Sequence, residues 1–170
     1  MKSILTRPPA PVLPVEGLLR KDHFQVSYVT NDLERACRLF STRYGVSRFE
    51  QIRGEMPAGG TIAAAFAWVG GTLYEIIEAH GPETAFYNDR LPPGEFGIRF
   101  HHLGFLIHDR SAWNSLEREL EEQGWRIAAK LGNNGLMEAV YVDAPELGHY
   151  VEYIYPEPAG IEFLERIPVN

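Results

Sequence analysis

One offset runs through this chain. Gln25 and His102, Asp32 and Asp109, Gly71 and Gly148, and Glu75 and Glu152 all stand 77 positions apart. One offset holding at both ends of a segment marks an internal duplication, and a duplicated unit must pair with its copy to bury its apolar face. At 170 residues the chain has room for two such units in one compact body. Only the glycines that end the helix of each unit, Gly45 and Gly124, stand slightly further apart, as expected of a longer second helix.

Periodicity reads out the unit. Residues 23–29 are rich in aromatic and β-branched side chains and suit a strand. Asn31 precedes Glu34 by three positions, an Asx capping box that starts a helix, and Leu33, Ala36, Cys37, Phe40 and Tyr44 form one apolar stripe along it. Strand-like runs follow at 48–53, 61–69 and 72–79, divided by Gly59-Gly60 and Gly70-Gly71. The same order then returns: a strand at 100–107, a helix capped by Asp109 with Trp113, Leu116 and Leu120 on its core face, and strands at 125–131, 136–143 and 149–155. The expected fold is α+β, two tandem βαβββ modules at 22–80 and 99–156 joined by a linker at 81–98. A proline-rich arm at 1–21 is expected to be extended, and a tail occupies 157–170.

Composition narrows the partners. The longest apolar stretch, 61–70, is far below the roughly twenty residues that span a bilayer, so no membrane segment is expected. Net charge of −7 argues against a nucleic-acid surface. A single cysteine, Cys37, allows no internal disulfide and suits a reducing cytoplasm. A small-molecule substrate remains as the expected partner.

Alternation along strands puts every second side chain on one face. Glu75 then shares a face with Leu73, Ile77 and Ala79, where a carboxylate is costly to bury unless it is paired or metal-bound. His102 and Glu152 repeat the situation in the second module. Two modules facing one another would gather Gln25, Glu75, His102 and Glu152 around one point, an oxygen-rich set with one nitrogen that suits a divalent cation. His23, two residues before Gln25, is expected on the same face as an alternate donor, and His101 on the face opposite His102. Phe66, Trp68, Tyr141 and Tyr153 are candidates to line a pocket.

The stretches Gln25-Val-Ser-Tyr-Val-Thr-Asn-Asp-Leu-Glu-Arg-Ala36 and His102-Leu-Gly-Phe-Leu-Ile-His-Asp109 resemble the module openings of the vicinal oxygen chelate superfamily. Gly71-Thr-Leu-Tyr-Glu75 and Gly148-His-Tyr-Val-Glu152 resemble the strands that close those modules. That superfamily includes glyoxalase I, methylmalonyl-CoA epimerase, extradiol dioxygenases and bleomycin-resistance proteins. The resemblance covers about 22–156 and implies an incomplete mixed β-barrel around a metal site, with homodimerisation. Mapped residue by residue, it implies Gln25, Glu75, His102 and Glu152 as ligands of one divalent ion (Zn, Ni, Co, Mn or Mg). Glu152 is then the leading general base and Glu75 the second candidate. The implied reaction is a glyoxalase-type lyase or epimerase-type isomerase step, moving a proton next to a carbonyl. Glutathione-handling members carry an arginine four residues after the first ligand and a polar amide four after the second. Val29 and Ala79 stand there instead, which favours a different substrate. Two alternatives stay open: an Fe(II) extradiol dioxygenase, which would need His23 beside His102 and Glu152, and a non-enzymatic binder of the bleomycin-resistance kind.

Overall fold

The computed structural model of the chain describes residues 17–19, 21–56, 59–82, 84–133 and 135–170. Most of the expected arm, 1–16 and residue 20, lies outside the described residues. The first half runs β1 (Asp22–Thr30), α1 (Leu33–Tyr44), β2 (Glu50–Glu55), β3 (Thr61–Val69) and β4 (Thr72–His80). A short helix, α2 (Ala85–Asn88), sits in the linker. The second half repeats the order as β5 (Ile98–Leu106), α3 (Arg110–Glu122), β6 (Ile127–Asn133), β7 (Met137–Ala144) and β8 (His149–Pro156). It ends in a helix over the expected tail, α4 (Pro158–Arg166).

Among the described residues, all eight strands belong to one sheet in the order β2-β3-β4-β1-β5-β8-β7-β6. The sheet curls into a half-barrel, which is the incomplete barrel expected of the duplication. Each half contributes four strands, and β1 and β5 join the halves antiparallel at the centre, within one chain. Helices α1 and α3 cover the convex side. The small side chains Ala63, Ala65 and Ala67 let α1 lie close through Leu33, Ala36 and Phe40. Trp113, Leu116 and Leu120 of α3 pack on Val140, Val142, Val151 and Tyr153. Tyr153 therefore faces a helix and is not a pocket residue. Its hydroxyl donates to the Leu18 carbonyl at 2.8 Å, tying down the segment before β1.

Three local expectations need correction. The cap of α1 is Asp32, whose carboxylate accepts from Arg35 N at 2.8 Å. The Asn31 amide instead donates to the Glu95 carbonyl and accepts from Gly97 N, bracing the linker. Tyr44 is 65% exposed, with its ring edge-on to Phe40 at 5.3 Å. The third correction concerns alternation itself. The pairing of β1 with β5 shifts register between His23 and Gln25, and again between Ser27 and Tyr28. These are β-bulges that leave Phe24 and His101 as the extra residues, and a bulge re-aims the side chains around it. Phe24 and His101 are themselves 77 positions apart, so the duplication carries its bulge in both copies.

The tail is the other departure. Helix α4 lies on the concave side, where Phe163 meets Phe66 edge-on at 5.2 Å. Trp68 Nε1 donates to the Leu164 carbonyl at 3.2 Å, and the backbone of Trp68 bonds to Pro168 and Asn170. The Asn170 side chain accepts from Ser47 N and Arg48 N and donates to the Arg48 carbonyl. The end of the second half is thereby fastened across the first.

Candidate metal centre

Sheet register explains why particular residues meet on the concave face. One row across the strands reads Phe66, Glu75, Ser27, His102, Tyr150. The next reads Trp68, Leu73, Gln25, Gly104, Glu152, Tyr141. Glu75 and His102 from one row, and Gln25 and Glu152 from the other, lean toward one point. Gly104 makes this possible, since a Cβ there would lie 2.7 Å from Gln25 Cβ and 3.1 Å from Gln25 Oε1. Gly104→Ala is therefore expected to displace Gln25, lowering stability by about 1–3 kcal/mol and weakening metal uptake. Urea unfolding alongside a metal titration measures both, and unchanged metal uptake would remove Gln25 from the ligand set.

The four side chains converge. Gln25 Nε2 donates to Glu75 Oε2 at 2.7 Å and lies 3.3 Å from His102 Nε2. His102 Nε2 is 3.4 Å from Glu75 Oε2 and 2.9 Å from Glu152 Oε2. Ligand atoms of Glu75, His102 and Glu152 all fall within 4.8 Å of one another. All four residues are buried, His102 completely.

Glu152 Oε2 lies 2.9 Å from His102 Nε2, within ion-pair distance of a protonated ring. Ser27 Oγ, in register between Glu75 and His102, is buried without a hydrogen-bond partner among the described residues. Two carboxylates buried side by side are expensive, and a cation is what such a set of donors satisfies. The residues fit a divalent ion bound by Glu75, His102 and Glu152. Gln25 can join by turning its amide to present Oε1, a rotation that exchanges donor for acceptor in the same volume.

Electrostatics point the same way. Burial by itself would lower the His102 imidazole, but the charges of Glu152 and then Glu75 outweigh it and raise its pKa to about 9. Burial first, and then the same two carboxylates, push the Tyr87 and Tyr141 phenols well up, so both remain neutral hydroxyl donors. In the metal-free protein, then, a proton on His102 occupies the place of the cation. Uptake of Zn²⁺ at neutral pH is expected to release about one proton. The apparent affinity should rise about tenfold per pH unit up to about pH 9. Because the folded pKa lies above the ordinary 6.5, the stabilisation from protonated His102 is complete below that value and fades as pH rises through about 9. Proton release followed with an indicator dye during metal titration checks the sign.

The other candidates fall elsewhere. His23 is exposed, donates to the Gln25 carbonyl at 3.1 Å and lies tilted 5.3 Å from the ring of Phe105, on the helix side. The bulge at Phe24 turned it away from Gln25's face, and the second histidine of the dioxygenase alternative goes with it. Phe100 likewise meets Tyr28 and His149, not the centre. Phe66 and Trp68 lie on the concave face but beneath α4, whose helical pattern was not expected there. Tyr141 does adjoin the centre, with its ring 5.2 Å from that of His102. Phe86, Tyr87 and His101 were missed as neighbours of the centre. The aromatic pair Phe86-Tyr87 inside a polar linker was the available signal.

No protein-family model matches the chain, and no curated protein matches its sequence. Solved structures do share its fold. A variant methylmalonyl-CoA epimerase from Streptomyces coelicolor, in complex with 2-nitronate-propionyl-CoA, is similar at a TM-score of 0.59 and 15% identity, covering 82% of this chain and 96% of that one. A methylmalonyl-CoA epimerase in complex with methylmalonyl-CoA and NH4+ is similar at 0.56 and 16% identity, covering 82% and 96%. The methylmalonyl-CoA epimerase of Mycobacterium tuberculosis is similar at 0.55 and 16%, covering 89% and 97%. The likeness is one of fold, and it agrees with the paired βαβββ modules expected from the duplication.

Proposed function

We propose that this protein is a divalent-metal-dependent enzyme of the vicinal oxygen chelate superfamily that moves a proton on the carbon next to a carbonyl of a small substrate. The observation that carries the reading is the convergence of two buried carboxylates on one imidazole nitrogen. When bound, the cation would polarise the substrate carbonyl and acidify the adjacent C–H. Glu152 takes the proton, the role that the resemblance of its strand motif implies. Glu75 is the second candidate and serves from the other side. The neutral hydroxyls of Tyr87 and Tyr141 supply hydrogen bonds to a developing oxyanion. The similarity to epimerases favours the isomerase branch over a lyase, and the aromatic surroundings of Phe86, Tyr141 and Tyr150 favour an apolar substrate over glutathione adducts.

Deuterium exchange tests this directly. Protein loaded in turn with Zn²⁺, Co²⁺, Ni²⁺, Mn²⁺ and Mg²⁺ is incubated in D₂O with α-substituted acyl thioesters and α-hydroxy ketones. Deuterium at the α-carbon, absent in Glu152→Gln, is the expected result. No exchange with any metal and any carbonyl compound would sink the proposal.

A further inference from the structure

We infer that His101 is a positioning residue that aims the lone pair of His102 at the centre, by accepting the hydrogen of the His102 ring nitrogen that faces away from it. The inference rests on the metal reading above and adds a residue that alternation along the strand would place on the wrong face.

The bulge in β5 puts two consecutive imidazoles on the concave side. His101 Nδ1 and His102 Nδ1 are 2.8 Å apart, a distance that requires one hydrogen between them, and only one. At its other end, His101 Nε2 lies 3.0 Å from the Phe86 carbonyl. A carbonyl can only accept, so His101 Nε2 carries the hydrogen and a neutral His101 has a bare Nδ1. The shared hydrogen therefore belongs to His102 Nδ1. What His102 offers the centre, once the proton there has given way to a cation, is the Nε2 lone pair, facing Glu75, Glu152 and the Gln25 amide. Moving the hydrogen to His101 Nδ1 would set the bare His101 Nε2 against the Phe86 carbonyl oxygen at 3.0 Å, and would leave a neutral His102 with its N–H pointing at the space the cation requires.

Packing prevents either ring from turning over. Both histidines have no exposed surface. His101 is stacked on Tyr87 at 5.6 Å and 23°, meets the edge of Phe86 at 4.8 Å and lies 5.0 Å from Tyr150. Helix α2, which supplies Phe86 and Tyr87, is itself held where Asn88 Nδ2 donates to the Ala79 carbonyl at 2.9 Å. The linker between the modules thus reaches the centre through two imidazoles. The duplication provides an internal control. In the first copy the bulge residue is Phe24, and the ligand candidate after it is Gln25, an amide with no tautomer to choose. In the second copy the ligand candidate is an imidazole, and the bulge residue is a histidine. Outer partners of this type set ligand orientation in metal sites, and their loss typically weakens metal affinity 10–100-fold.

The test uses the whole protein and Zn²⁺ as the probe. His101→Phe keeps the ring volume and loses the acceptor; His101→Gln restores a carbonyl oxygen toward His102 and an amide N–H toward Phe86. Competition against a chelator should show Zn²⁺ binding weakened about 10–100-fold in His101→Phe and largely recovered in His101→Gln. Long-range ¹H–¹⁵N spectra of the unmutated, Zn²⁺-loaded protein should show hydrogen on His102 Nδ1 and His101 Nε2, and none on His101 Nδ1. That measurement stands even if the phenylalanine variant fails to fold. Wild-type affinity in His101→Phe, or hydrogen on His101 Nδ1, would overturn the role of His101 alone. Failure of the unmutated protein to take up Zn²⁺ would overturn the metal reading itself.

Discussion

Replacing His102 with alanine is expected to lower metal affinity by more than about 100-fold, beyond what loss of an outer-shell partner does. It is also expected to destabilise the metal-free protein by about 3–5 kcal/mol. Both effects come from one geometry. His102 Nε2 stands 2.9 Å from one glutamate and 3.4 Å from the other, all of them buried. In the metal-free protein the imidazole carries the charge that offsets these carboxylates, as its raised pKa of about 9 reflects. Without it, Glu75 and Glu152 face one another in low dielectric, and the pair can only relax by taking up a proton or opening to water. Chelator competition and urea unfolding, each on metal-free and Zn²⁺-loaded samples, separate the two losses. Metal affinity preserved in His102→Ala would show that the convergence is an ion pair of the core and not a binding site.

Phe163→Ala should cost about 3–5 kcal/mol, the usual range for an aromatic deleted from a core. Phe163 is 4% exposed and its ring is set edge-on against Phe66. Phe66 is directly in register with Glu75, so the space opened by the substitution lies beside the centre. Water entering there would solvate Glu75 and lower its need for a cation. The expected outcome is therefore a large loss of stability, accompanied by weaker Zn²⁺ uptake. Thermal unfolding with and without Zn²⁺ reads both: the metal should raise the midpoint less in the variant than in the unmutated protein. A variant as stable as its parent would mean that α4 rests on the sheet without filling it.

The legible part of this protein was long-range and periodic. Strand β3 could be delimited from its glycines alone, and Trp113, Leu116 and Leu120 were identified as the buried face of α3. The illegible part was local. Helix α4 falls where only a tail was expected; its Pro158 stands in the first turn, where Pro is favoured. Gly160 is where α4 comes against the Leu136 carbonyl, with no room for a Cβ.

The sequence by itself determined the duplication, the α+β order and the four positions that meet, because a 77-residue repeat with period-two strands leaves few ways to pair two modules. Only the tertiary structure decided which neighbours join them. Bulges at Phe24 and His101 depend on how β1 and β5 pair across the junction of the halves, and no pattern within one strand encodes that pairing. Those bulges expelled His23 from the centre and admitted His101. The tail, likewise, became a roof only because the concave face left Phe66 and Trp68 uncovered for it to bury.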